Sequence, residues 1–361
     1  MVGNPILMGS NLIWTVLSFS SSSIMTSSLL LSSPNKYITV ICLCEDDDII
    51  YPETWELAAL VTNIGVGRGV IKTQRCTYYH NDVYSYFKKF PTHFKKHILL
   101  AADEFDYILE NLFPQKNVNS LLAMSFENKV LMTLMFVVQY KGNKALGLIF
   151  NCSEFYVSKV LDEMLIILAE YFLKYIPNEL TSQTHSKLHS SIRAVIDNTI
   201  HKTRKPIKGQ RMHYNGHYCM HGRLTQLLVD YDGKIIAFKT MIPGKVHDNL
   251  SALYNKKFVE ILGNYLCIGD TAFNQIQYTV AGYQKCRLNS PEKIIFDRIS
   301  RQEQVVIENV NKFLKDCKSI DKDTSFKHGD EKLFLCICIG MGFYNMKLSW
   351  GYFQPSINYS L

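Results

Sequence analysis

The sequence predicts an α/β protein whose helical N-terminal half leads into a core of strands alternating with helices. Three observations carry that prediction. Apolar and aromatic residues recur at helical spacing through residues 75–180, whereas from about residue 190 they alternate or run continuously as in strands. Tyr231-Asp232-Gly233 separates two such runs, and Asp-Gly between apolar stretches marks a hairpin. Beyond it, strand-like runs are followed by helical stretches, the pattern of strand–helix crossovers.

The elements can be justified in order. Residues 1–35 carry no charged side chain and are rich in Ser and Leu, but their apolar runs are broken by Ser, Thr and Asn and lack a basic start. They are short of the roughly 18–20 clean apolar residues of a membrane span. Residues 1–74 are therefore expected to be a poorly ordered extension or a gene-model artefact, with a secretory leader as the alternative. Tyr84 to Phe87 and Phe105 to Leu112 suggest helices around a turn at Pro91. Ser125 opens a helix through Tyr140, Lys144 to Phe150 forms a short second one, and Ser153 caps a third from Glu154 to Lys174. That outline, over about 125–175, is a helix-turn-helix, although any small helical bundle looks similar.

Ala194 to Thr199 is the first expected strand, Tyr218 to Asp230 and Lys234 to Met241 the hairpin, and Tyr265 to Gly269 the next strand. Between them Asp248 can cap a helix to about Leu262. Ser300 and Glu303 read as a capping box opening a helix to Lys315 that buries Val306, Val310, Phe313 and Leu314. This order, a three-strand meander and then α/β crossovers, is that of a ribonuclease-H-like core at residues 188–350, behind a helical domain at 75–180.

Composition narrows the function classes. With 47% hydrophobic and 20% charged residues the chain is ordinary for a globular protein, and a net charge of +7 permits nucleic-acid binding without demanding it. The basic residues cluster: Lys202, Arg204, Lys205, Lys208 and Arg211 follow Asp197, and Lys285, Arg287, Lys293, Arg298 and Arg301 precede Glu308. Ten cysteines without a C-x-x-C pair argue against a zinc ribbon or disulfide scaffold. His217, Cys219 and His221 alternate on one strand face, a pattern more often produced by packing than by zinc.

Three acids carry the chemistry. Asp197 and Asp270 end apolar runs, and Glu308 lies in the last helical stretch outside its apolar stripe. A carboxylate at the end of a buried strand is costly unless paired, and a divalent cation is a common partner. Two ions, Mg²⁺ or Mn²⁺, roughly 3.5–4 Å apart would activate a water and stabilise the leaving oxygen of a phosphodiester. In that scheme Asp197 bridges, and Asp270 and Glu308 each complete one metal.

The residues so reached resemble the PIF/Harbinger-type transposases, DDE superfamily endonucleases. Val195 to His201 looks like that family's first-Asp motif, Pro243-Gly244-Lys245-Val246-His247-Asp248 its next segment, and Ile268 to Phe273 its second-Asp motif. Arg301 with Val305 to Glu308 resembles its helix, Gly147 to Ser153 with Val157 to Val160 its helix-turn-helix, and Tyr344-Asn345-Met346 its ending. The resemblance implies a Mg²⁺-dependent, nuclear DNA endonuclease acting on transposon terminal repeats and a target site. It implies catalytic Asp197, Asp270 and Glu308 and adds Asp248 as a metal or supporting residue, against its plainer role as a helix cap. A Myb-like helper protein assisting nuclear entry (the chain otherwise staying cytoplasmic) and a homo-oligomer complete the expected partners. Asn198 stands where the motif has Gly, and Thr271-Ala272-Phe273 also departs from it. These departures motivate the alternative, a domesticated or decayed relative that binds DNA without catalysis.

Overall fold

The computed structural model describes residues 81–112, 124–253, 255–283 and 287–351, together with the backbone of four earlier strands. Those are β1 (Ile6–Met8), β2 (Leu12–Phe19), β3 (Ser22–Leu30) and β4 (Tyr37–Cys42), an antiparallel sheet in that order. The rest of the extension expected over 1–74 lies outside the described residues. Residues 79–361 make one compact unit, described by itself below. Among the described residues no helix is long and apolar enough to cross a membrane.

The helical half begins with α1 (Val83–Lys89), α2 (Thr92–Ile98) and α3 (Ala102–Leu112). Asp82 caps α1 by accepting the Ser85 amide hydrogen. Phe87, Phe94 and Phe105 stack into one aromatic cluster, Phe94 and Phe105 at 0% exposure, each ring contributing roughly 1.5–3 kcal/mol by burial. Next, α4 (Phe126–Gln139) is buried from Asn128 to Val138, as a helix apolar on every side must be. Ser125 caps it as expected, and it ends where Tyr140 turns left-handed at φ 52°. α5 (Asn143–Phe150) and α6 (Glu154–Leu173) follow, with Ser153 accepting from the Tyr156 amide.

A mixed sheet forms the rest. β5 (Ile192–Lys202) lies between β7 (Met220–Asp230), antiparallel, and β9 (Leu266–Gly269), parallel. β10 (Thr279–Ala281) pairs parallel to β9 at one edge. On the other side β8 (Ile235–Pro243) and the two-residue β6 (Tyr214–Asn215) share β7. The predicted hairpin is β7–β8, with Asp230 accepting the Asp232 and Lys234 amide hydrogens at the turn. A short helix, α7 (Gln210–His213), sits in the β5–β7 connection.

Two expected elements need correction. The helix after Asp248 is broken into α8 (Asp248–Leu253) and α9 (Lys256–Leu262). Buried Asn255 lies between them, its amide donating to Gln226. The long helix α10 runs Pro291–Asp316, capped by Ser290 with Pro291 in its first turn, so Ser300 and Glu303 are not a capping box. Both sit mid-helix at 1% exposure, facing the protein interior.

Finally α11 (Asp330–Ser349) packs along α6. At Gly342 an added Cβ would lie 2.0 Å from the Phe172 carbonyl oxygen, a backbone atom that cannot swing aside. Gly342→Ala is thus expected to force the two helices apart and cost roughly 3 kcal/mol or more, read as a lowered urea midpoint. An unchanged midpoint would contradict this packing.

Candidate active site

Strand register builds the site. Val195 pairs with Ile268 across the parallel β5–β9 ladder, so two residues further on Asp197, inside β5, and Asp270, just past the end of β9, come side by side. Alternation along β5 then splits its side chains between two faces. Val195 packs into the core containing Val306 and Val310 of α10, and Asp197 follows it to that face. Ile196 packs with Ala252 and Phe258, and Asn198 follows to the face of α8.

Each acid is held by a neighbour. Asp197 Oδ1 accepts the Asn198 amide hydrogen at 2.8 Å, and Oδ2 accepts from Asn311 Nδ2 of α10 at 2.9 Å. Asp270 Oδ1 accepts the Ala272 amide hydrogen at 2.8 Å, capping the 3₁₀ turn Thr271–Phe273. Asp248 accepts from Asn198 Nδ2, which also reaches Ser251 Oγ at 3.1 Å. Asn198 is therefore not a turn residue at all. It lies in regular strand, and its amide ties β5 to the first turn of α8. Asp248 opens α8 with its carboxylate committed to Asn198.

The electrostatics confirm that the three aspartates are neighbours. Burial pushes the Asp197 carboxyl up to about 7, and the charges of Asp270 and Asp248 add to this against the lowering effect of the Asn198 and Asn311 hydrogen bonds. Asp197 as a residue is only part-buried, so its carboxyl group, walled in by the sheet and α10, is what avoids charge. Burial also raises Asp270, although as a residue it is exposed, and Asp248 contributes. The Tyr218 hydroxyl is raised by burial and then by the charges of Asp197, Asp248 and Asp270.

Glu308 stands apart. It is exposed on α10, one turn before Asn311, and makes no hydrogen bond or ion pair among the described residues. Asn311 holds the inner position instead. Asn198 and Asn311 were missed from the sequence as site residues, and the signal for Asn311 was its i+3 spacing from Glu308 on one helix face. His201, in the first-Asp segment, is a buried brace: Nδ1 lies 2.6 Å from the Ile320 carbonyl oxygen and Nε2 2.8 Å from Thr225 Oγ1, and burial pushes it down to about 4. His217 and His221 pack on Tyr218 and Tyr214 rather than on a shared metal.

The donors suit a hard cation. Beside the carboxylates, the amide oxygens of Asn198 and Asn311 are buried and accept no hydrogen bond among the described residues. Carboxylate and amide oxygens are the donor chemistry of Mg²⁺ and Mn²⁺. Among the described residues no three Asp, Glu, His or Cys side chains converge into a finished metal site. Mg²⁺ needs only one or two carboxylates when waters and phosphate oxygens complete its octahedron.

Comparison with known proteins adds the class. Residues 183–339 match the family model described as DDE superfamily endonuclease. The match runs from before β5 into α11, with Asp197, Asp248, Asp270 and Glu308 inside it, while α1–α6 lie outside it. Neither the curated proteins nor the solved structures gave a match.

Proposed function

We propose that this chain is a divalent-metal-dependent DNA endonuclease of transposase type, with a ribonuclease-H-like core of the Harbinger kind. The observation that carries the reading is the adjacency of Asp197 and Asp270 on neighbouring parallel strands, with Asp197 destabilised as an anion. Asp197, Asp270 and Asp248 would hold Mg²⁺ or Mn²⁺, with Glu308 reaching in from α10. Bound there, the cations would supply charge to activate a water and to stabilise the leaving 3′-oxygen. The chain's own part is orientation: Asn311 fixes Asp197, the Ala272 amide fixes Asp270, and Asn198 fixes Asp248. Such supporting hydrogen bonds set the direction in which a carboxylate offers its lone pairs.

The exposed Leu148 and Phe155, with Lys159 Nζ 4.7 Å from the Phe155 ring, support α5 and α6 as a DNA-recognition pair. Nuclear location, a Myb-like helper and homo-oligomeric assembly belong to the same reading and rest on the family resemblance. A second reading, DNA binding without catalysis, is favoured by one observation, the exposure of Glu308, which makes no hydrogen bond or ion pair among the described residues.

The test is strand nicking of duplex DNA carrying the element's terminal repeats, with Mg²⁺ or Mn²⁺. Wild-type protein is expected to nick, and Asp197→Asn and Glu308→Gln to lower the rate by roughly two orders of magnitude or more. DNA binding without nicking in either metal would sink the enzyme reading and leave the second.

A further inference from the structure

The connection between β5 and β7 does more than return the chain. Residues 203–219 fold into an arm carrying α7 and β6, and the arm is clamped against the segment that links β8 to α8. The Lys245 amide donates to the Met212 carbonyl oxygen at 3.0 Å, and Asn215 Nδ2 donates to the Gly244 carbonyl oxygen at 2.8 Å. Gly244 makes this closeness achievable. A Cβ there would lie 2.5 Å from the His213 carbonyl oxygen and 2.7 Å from that of Gly222.

Between arm and linker lies an open pocket of about 440 Å³ lined by Lys205, Gln210, Arg211, Tyr214, His221 and Lys245. Lys205, Arg211 and Lys245 are exposed, and among the described residues none of them forms an ion pair. Three cations gathered on one concave wall without acidic partners repel one another, an arrangement that an anionic ligand relieves. The pocket is open rather than enclosed, so it suits a continuous polyanion better than a small buried anion.

Its two walls also belong to segments that lead to the acidic centre: Lys205 follows Asp197 on the chain leaving β5, and Lys245 precedes Asp248 by three residues. We infer that this pocket is a DNA-backbone site, gripping successive phosphates beside the bond to be cut, with Arg211 and Lys245 as its principal contacts. The inference rests on the nuclease reading for the identity of the strand. It gives each part of the segment Pro243 to Asp248 a physical role. The glycine admits the arm, the lysine faces the phosphates, and the aspartate faces the cut.

The test is the salt dependence of binding to a labelled duplex in EDTA, where no cutting occurs. Each lost phosphate contact lowers the slope of log affinity against log salt by about 0.9, or roughly eightfold in affinity at 0.1 M salt relative to 1 M. Arg211→Gln and Lys245→Gln are each expected to show about that loss, the double variant about twice it, and Arg211→Lys close to none. These side chains are exposed, so melting temperatures should be unchanged and any loss of binding is then a loss of contact. A double variant with wild-type slope and affinity, or wild-type protein that binds no DNA at low salt, overturns the pocket. Wild-type protein that shows these slope losses yet never nicks DNA leaves the pocket standing and overturns the nuclease reading alone.

Discussion

Asp197→Asn is expected to make the metal-free protein more stable above neutral pH while removing its cleavage activity. The sign follows from the direction of the shift. In the fold the Asp197 carboxyl is pushed from an ordinary 3.8 up to about 7, so the folded chain holds its proton where the unfolded chain has lost it. Stability therefore falls as pH rises from about 4 to about 7, and above that the folded protein bears the full cost of a crowded anion. That cost is roughly 2–4 kcal/mol, the lower end allowing for the solvent that reaches this part-buried residue. Asparagine keeps the shape and does not titrate. Melting curves in EDTA should thus separate wild type and variant at pH 8 and bring them together near pH 4. A variant that is less stable at pH 8, or a difference constant across pH, would contradict the burial of the Asp197 carboxyl, the main cause of its shift. Strain of this kind is what a binding site stores at the expense of the fold.

Glu303→Ala should be among the most destabilising substitutions in the chain, although Glu303 touches none of the site residues. At 1% exposure its Oε2 accepts from Ser186 Oγ and Tyr231 Oη, both at 2.7 Å, and its Oε1 from the Lys187 amide at 2.7 Å. One carboxylate so joins α10 to the chain entering β5 and to the turn of the β7–β8 hairpin. Truncation leaves two buried hydroxyl donors and the part-buried Lys187 amide without this acceptor, and a cavity beside them, a loss on the order of 3–5 kcal/mol. Glu303→Gln retains one acceptor oxygen and should lose about half as much. Urea unfolding followed by circular dichroism measures both. If alanine costs under about 1 kcal/mol, the brace is not what fixes α10 against the sheet.

Much of this architecture was legible because its causes are local. Ser125 and Ser153 announce their helices, Asp-Gly at 232–233 its hairpin, and the apolar runs before Asp197 and Asp270 the strands that carry them. The adjacency of those two aspartates comes from topology instead, β5 lying centrally between β7 and β9. What stayed hidden depends on partners distant in sequence. Ser300 and Glu303 have the spacing of a capping box, and only Ser186, Lys187 and Tyr231, more than seventy residues away, show that they are buried mid-helix. The true start at Ser290-Pro291 was obscured because Ile294 and Ile295 are 52% and 58% exposed and give the first turns no clear apolar stripe. Asn198 reads as a lost glycine until α8 supplies Asp248 and Ser251 as its partners. Likewise Asn311 is marked in the sequence by nothing but its i+3 spacing from Glu308, and it enters the site because α10 presents that face to Asp197.

At the centre of the proposed function, Asp197, Asp248 and Asp270 hold a divalent cation. The most direct measurement is the melting temperature at pH 8 as Mg²⁺ or Mn²⁺ is titrated, for wild type and Asp197→Asn. A ligand that binds only the folded state stabilises by about 2.7 kcal/mol at a hundred times its dissociation constant. Wild type is expected to rise steadily by several degrees as metal is added, closing the gap to the variant, while Asp197→Asn stays nearly level. Parallel curves for the two proteins, or no rise in wild type up to millimolar metal, would contradict a cation site at these aspartates.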